Sequence, residues 1–223
     1  MLGLLGDLHG DFWVMTNLIP KLENVDITVI QVGDFGYYPD RHRGTILDGT
    51  TLDYWPDTEF PVYWIDGNHE WHPFLRGITK VTELKKNLFY VPRGTVLDLE
   101  GYRIGFMGGA ESIDKFHQMK RGTWFPDETI TREQIERLWD RKDIDILVTH
   151  TAPASVVRAH FPPLDLQEWG LPAAWKDTSS ILVDELWNNL GRPPLYCGHF
   201  HKSIIHDTCR ILDINELYTI DSK

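Results

Sequence analysis

The chain begins Met1-Leu2-Gly3-Leu4-Leu5-Gly6-Asp7-Leu8-His9-Gly10-Asp11, a short apolar run breaking into a glycine-containing turn that carries an acid and an imidazole. The same pattern recurs four times. Residues 27–32 end in Gly33-Asp34-Phe35-Gly36 and residues 62–65 in Asp66-Gly67-Asn68-His69-Glu70. Residues 144–148 end in Thr149-His150-Thr151, and residues 195–197 in Gly198-His199-Phe200-His201. Apolar runs of this length without alternation read as strands buried on both faces. Open α/β sheets gather their sites at the carboxyl ends of strands. The pattern therefore predicts an α/β fold with metal-ligand residue types collected at five strand ends.

Helices fill the gaps unevenly. Residues 12–22 read as the first, with Asp11 as cap and Pro20 expected to kink or end it. Residues 131–142 place Ile135, Leu138 and Trp139 at helical spacing behind the capping box Thr131-Arg132-Glu133-Gln134. Residues 178–190 put Ile181, Leu182, Leu186 and Leu190 on one face, with Gly191 as the stop. Residues 96–99 and 103–107 flank Glu100-Gly101-Tyr102 as a hairpin, and residues 204–214 and 217–220 read as late strands. Residues 37–60 and 110–130 are polar, aromatic-rich and aperiodic, as lids, binding loops or excursions packed by their own aromatics are. No repeat or low-complexity linker divides the 223 residues, so one domain over residues 1–223 is expected.

Composition narrows the partners. With 22 Lys+Arg against 33 Asp+Glu the formal net charge is −11, and no run of five basic residues occurs. An extended polyanion such as nucleic acid needs basic surface to displace its counterions and is disfavoured. A small anion in one positive pocket is compatible with an acidic protein. Cys197 and Cys209 cannot build a disulfide framework, no window approaches a membrane span, and no basic apolar leader precedes Asp7. A cytoplasmic protein with no membrane partner is the expectation.

Taken as ligands, Asp7 and His9 lie two residues apart and point to one face if the strand runs through them; His199 and His201 repeat the spacing. With Asp34, Asn68 and His150 they offer oxygen and imidazole donors but no thiolate. That mix suits Mn²⁺, Fe or Zn²⁺ in sites of five or six ligands, with Mn²⁺ favoured, rather than a closed structural zinc site. Seven protein donors are too many for one ion that keeps a position open. Shared through one carboxylate, they fit two divalent metal ions roughly 3.5–4 Å apart.

The set Asp7-x-His9, Gly33-Asp34, Gly67-Asn68-His69-Glu70, His150 and Gly198-His199-x-His201, in this order over residues 7–201, resembles the calcineurin-like metallophosphoesterase superfamily. The resemblance implies an α/β four-layer sandwich of two mixed β-sheets flanked by helices. It implies that Asp7, His9 and His201 hold one metal, that Asn68, His150 and His199 hold the other, and that Asp34 bridges both. A water or hydroxide between the ions would attack phosphorus in line, and His69 would protonate the leaving oxygen as general acid. Residues 107–115, Met107-Gly108-Gly109-Ala110-Glu111-Ser112-Ile113-Asp114-Lys115, resemble a segment of bacterial and phage members. Its glycines are expected to let backbone approach the metals, with Lys115 and Arg121 contacting phosphate.

The chain departs from the superfamily's phosphoprotein phosphatases. Their second motif runs Gly-Asp-x-x-Asp-Arg-Gly, and an Arg stands two residues before the Asn of the third. Here the second motif is Gly33-Asp34-Phe35-Gly36-Tyr37, and Asp66 takes the place of that Arg. Tyr37 replaces the Asp that pairs with the catalytic His, leaving Glu70, Asp40 or a backbone carbonyl to orient His69. The phosphate-binding arginines are missing from their motif positions, with Arg41, Arg43 and Arg121 as possible substitutes from the aperiodic stretches.

Charge then bears on substrate. Two divalent ions, offset by two carboxylates and a hydroxide, leave one net positive charge, which a phosphodiester neutralises and a monoester exceeds. Hydrolysis of a small nucleotide-like phosphodiester, such as a cyclic nucleotide, is the expectation. Tyr37, Tyr38, Trp71 and Trp124 are candidates for a base-stacking wall or simply for packing. Phosphomonoester, phosphoprotein or dinucleotide polyphosphate hydrolysis is the alternative. A nuclease is disfavoured by the acidic balance, and a non-catalytic scaffold by the retention of His69 and all seven donors.

Overall fold

The computed structural model describes residues 1–38 and 51–223. Its strands, in chain order, are β1 (Leu2–Leu5), β2 (Thr28–Gln31), β3 (Val62–Trp64), β4 (Thr82–Lys85), β5 (Leu88–Tyr90) and β6 (Thr95–Leu99), then β7 (Tyr102–Met107), β8 (Ile146–Thr149), β9 (Leu195–Cys197), β10 (Ile204–His206), β11 (Cys209–Ile211) and β12 (Leu217–Ile220). The helices are α1 (Trp13–Leu22), α2 (His72–Leu75), α3 (Lys115–Arg121), α4 (Arg132–Trp139), α5 (Ala154–His160) and α6 (Thr178–Asn189).

The strands form two six-stranded sheets, ordered β12-β1-β2-β3-β5-β4 and β10-β11-β9-β8-β7-β6. Each has four parallel strands at its centre and one antiparallel strand on either edge. Side-chain alternation sorts the apolar residues into layers. Leu2 and Leu4 of β1, Ile30 of β2, Ile104 and Phe106 of β7, and Ile146 and Val148 of β8 meet between the sheets. Leu5, Val29, Val62 and Trp64 face outward onto Met15, Ile19 and Leu22 of α1. Leu147, Leu195 and Cys197 face the other way, onto α4, α5 and α6. At roughly 1.5–3 kcal/mol per fully buried aliphatic side chain, the central seam fixes one sheet against the other. The strand ends of both are thereby held at one edge of the sandwich, which is the two-sheet α/β architecture expected.

Local differences have local causes. Pro20 lies within α1 without ending it, and Asp11 is not the cap: Phe12 holds that position, while Asp11 Oδ1 accepts from the Trp13 amide at 3.3 Å. The capping box of α4 is present in both halves, Thr131 Oγ1 with the Gln134 amide at 3.3 Å and Gln134 Oε1 with the Thr131 amide at 3.0 Å. Of the face predicted for α6, Leu186 and Leu190 are buried and Leu182 packs partly buried on the same core, but Ile181 is not part of it. Ser179, Ser180, Val183, Leu186 and Trp187 are buried, whereas Ile181 is 37% exposed. Ser179 Oγ accepts from the Ile130 amide and Ser180 Oγ meets Thr151 Oγ1 at 2.8 Å, so satisfied hydroxyls occupy the inward positions. Glu100 and Gly101 both take positive φ, as a two-residue hairpin loop requires, and join β6 to β7 with Leu99 opposite Tyr102. Residues 204–214 divide into β10 and β11 at Asp207, whose φ is 54°. Among the described residues no helix is long and apolar enough to cross a membrane.

Candidate metal centre

Five strand ends meet. Asp7 follows β1, Asp34 follows β2, Asn68 follows β3, His150 follows β8 directly and His199 follows β9. Backbone hydrogen bonds stitch these loops together: the amides of Leu8 and His9 donate to the Asp34 carbonyl at 3.0 and 2.7 Å, and the Gly198 amide to the His150 carbonyl at 3.0 Å. His9, Asp34, His199 and His201 all lie at positive φ, between 49° and 70°. Such backbone costs about 1–3 kcal/mol a residue and persists only where the surroundings enforce it, as at functional sites. Glycines make the approach possible. A Cβ on Gly67 would stand 2.0 Å from Asp34 Oδ1, and one on Gly198 would stand 1.9 Å from Asp7 Oδ1.

Two groups of donors result. Ligand atoms of Asp7, His9, Asp34 and His201 lie within 4.8 Å of one another, as do those of Asp34, His150 and His199, so that Asp34 belongs to both. Asn68 joins the second group, its Oδ1 3.2 Å from His150 Nε2. His150 Nδ1 lies 2.9 Å from the Val32 carbonyl, which can only accept, so the neutral ring carries its proton there and presents Nε2 as a lone pair. Asp7 takes the His199 amide on both oxygens at 3.1 and 3.0 Å, and His201 Nε2 stands 3.3 Å from Asp7 Oδ2.

The arrangement fits bound cations. Asp34 Oδ2 is buried without a hydrogen-bond partner. His9 Nε2 and His201 Nε2 converge to 2.9 Å. Burial pushes the His9 imidazole down, against the pull of Asp34 and Asp7, and holds that of His199 to about 3, with His150 adding to the effect. Burial also opposes the charged form of His150, but Asp34 at 3.3 Å, with help from Asp7, raises it to about 9. Burial likewise opposes charge on Asp34, whose carboxyl is nevertheless held well below the usual range by His150. The carboxylates thus call for positive charge that the imidazoles only partly supply.

His69 is half-buried; its amide donates to Asp34 Oδ1 at 2.8 Å and its ring centroid lies 5.2 Å from that of His9. Glu70 does not orient it. Both Glu70 oxygens take backbone amides, Phe35 at 2.7 Å, Gly36 at 3.3 Å and Tyr37 at 2.5 Å, so that Glu70 shapes the loop carrying Asp34. Asp40, Arg41 and Arg43 lie outside the described residues. Lys115 opens α3 with its ammonium 4.1 Å from the centre of the Trp124 ring, and Arg121 is exposed in the last turn. Among the described residues no hydrogen bond or ion pair joins Lys115 or Arg121 to the seven donors.

Three partners escaped the sequence. Asn68 Nδ2 donates to Ser112 Oγ at 3.1 Å, and Ser112 is held by Glu128 through its hydroxyl at 2.8 Å and its amide at 2.9 Å. Gln118 Nε2 adds a further bond to Ser112 Oγ at 3.1 Å. Residues 107–115 therefore do reach the centre, though through Ser112 rather than through their glycines. A Cβ on Gly108 would meet Asp66, and one on Gly109 the Arg93 guanidinium. These two form a buried ion pair, Arg93 Nε to Asp66 Oδ2 at 2.7 Å, also joined by the Tyr90 hydroxyl at 3.1 Å. The residue in place of the phosphatases' arginine thus serves packing behind the third motif.

No curated protein matches the chain significantly. The family model for calcineurin-like phosphoesterases matches residues 2–203, which takes in all five strand ends. With two donor groups sharing one buried carboxylate, the chain belongs to the calcineurin-like phosphoesterase family of metal-dependent phosphoric-ester hydrolases.

Proposed function

We propose that this phosphoesterase hydrolyses small phosphodiesters of nucleotide type, a cyclic nucleotide being the simplest, with two Mn²⁺ ions in the site. The observation that supports a two-ion phosphoesterase site is Asp34, common to both donor groups and with one buried oxygen left without a hydrogen-bond partner. Asp7, His9 and His201 would complete one position, and Asn68, His150 and His199 the other. Bound there, the ions would supply Lewis acidity toward phosphoryl oxygens and activate the attacking water.

The chain's own residues do the rest. Asp34 and Asp7 together neutralise half the charge of two divalent ions, leaving a site matched to a singly charged diester once a hydroxide is present. Arg93, buried and paired with Asp66, is committed elsewhere and supplies no clamp for a dianion. His69, beside His9 and anchored by Asp34, stands where a leaving oxygen could take its proton.

A substrate panel tests the reading. With Mn²⁺ added, the protein should hydrolyse bis(p-nitrophenyl) phosphate and 2′,3′-cyclic nucleotides with higher kcat/KM than the matching monoesters. A preference for monoesters would transfer the assignment to the phosphomonoesterase alternative. Asp34→Asn should lose both metal ions and activity together.

A further inference from the structure

We propose that His160 and His206 form a third metal position on the surface, between the carboxyl end of α5 and the end of β10, for a borderline transition ion such as Zn²⁺, Ni²⁺ or Cu²⁺. His160 Nε2 and His206 Nδ1 stand 2.9 Å apart, with ring centroids 5.0 Å apart and planes at 89°. His9 and His201 in the candidate centre have almost the same relation: 2.9 Å between Nε2 atoms, 4.9 Å between centroids and 88° between planes. Two imidazoles at about 2.0–2.1 Å from one ion and a near right angle, as in tetragonal Cu²⁺ or Ni²⁺ coordination, bring their nitrogens to that separation, and a tetrahedral Zn²⁺ needs them only about 0.4 Å further apart. The pair is open to solvent, so water completes the coordination. It brings two nitrogens and no carboxylate within the described residues, a donor set that selects Zn²⁺, Ni²⁺ or Cu²⁺ over Mn²⁺.

Its place in the fold gives the ion a consequence. Phe161, next to His160, packs on Phe200 with centroids 4.8 Å apart, and Lys202 Nζ lies 5.9 Å from the Phe161 ring centre. Both partners belong to the loop that carries His199 and His201. An ion bridging His160 to His206 would tie α5 to the strand leaving that loop and reduce the loop's freedom.

Equilibrium dialysis against Zn²⁺ followed by elemental analysis tests this on the full chain. His160→Ala and His206→Ala should each hold one equivalent less than the unaltered protein, with Mn²⁺-supported phosphoesterase activity unchanged. The difference of one equivalent is independent of how many ions the main centre takes. Equal Zn²⁺ uptake by all the proteins would reduce the pair to a ring-to-ring hydrogen bond and overturn the proposal.

Discussion

Ser112 decides which way the Asn68 amide faces. Its hydroxyl donates to Glu128 Oε2 at 2.8 Å and accepts from Asn68 Nδ2 at 3.1 Å, leaving Asn68 Oδ1 on the side of His150 Nε2. An asparagine free to flip would present nitrogen, which cannot ligate, for part of the time. Ser112→Ala should therefore weaken one of two metal positions by about 10–100-fold, the usual cost of removing a group that orients a ligand. Calorimetric titration with Mn²⁺ should show one step weakened and the other retained. Two unchanged steps would remove Ser112 from the supporting network.

Glu128 makes stability depend on pH. Burial raises its carboxyl from 4.5 to about 7, against the opposing hydrogen bonds from Ser112. Between those values the unfolded chain has released the proton while the folded chain still holds it, so stability falls as pH rises through that window. The shift corresponds to roughly 3 kcal/mol at most. Urea midpoints measured from about pH 4.5 to 7 should show a shallower decline in Glu128→Gln than in the unaltered protein. Parallel curves would mean that Glu128 ionises normally.

That the five strand ends carry a convergent set of donors was legible in sequence and the bonds that Ser112 makes behind them were not, for a physical reason. Asp7, Asp34, Asn68, His150 and His199 follow apolar strands whose burial pattern is written in consecutive residues, and parallel sheets bring such ends together. Ser112 and Glu128 lie in an aperiodic stretch where nothing local fixes direction. Their contact spans sixteen residues, and Ser112 reaches Asn68 across forty-four. The outward position of Ile181 on α6 has a related reason. Hydropathy ranks Ile181 above Ser180, but Asp177 and Thr151 give Ser180 a reason to be inside that only the fold reveals.

Glycine substitutions separate close approach from backbone strain. Gly67 admits Asp34 at a distance no Cβ tolerates, whereas Gly191 has φ 82° and nothing within 4 Å of the Cβ position. Gly191→Ala should cost about 1 kcal/mol of stability and leave metal content intact. Gly67→Ala should displace the Asp34 carboxylate and lower metal content at both positions. Elemental analysis after Mn²⁺ loading, beside urea unfolding, reads the two effects separately. Equal metal content in both variants would show that Asp34 can yield without releasing the ions.

The role of His69 is testable through the leaving group. A general acid contributes about 10²–10⁴-fold when the departing oxygen is a poor leaving group and little when it departs as a stable phenolate. His69 is half-buried next to His9, and its amide, not its ring, makes the bond to Asp34. Replacing the ring should therefore spare the donor groups. His69→Gln should keep its metal content, lose about 10²-fold or more in kcat on a nucleoside cyclic phosphate, and lose far less on bis(p-nitrophenyl) phosphate. Equal losses on both substrates would instead assign His69 to binding the phosphoryl group, since a contact made alike to either ester cannot distinguish their leaving oxygens.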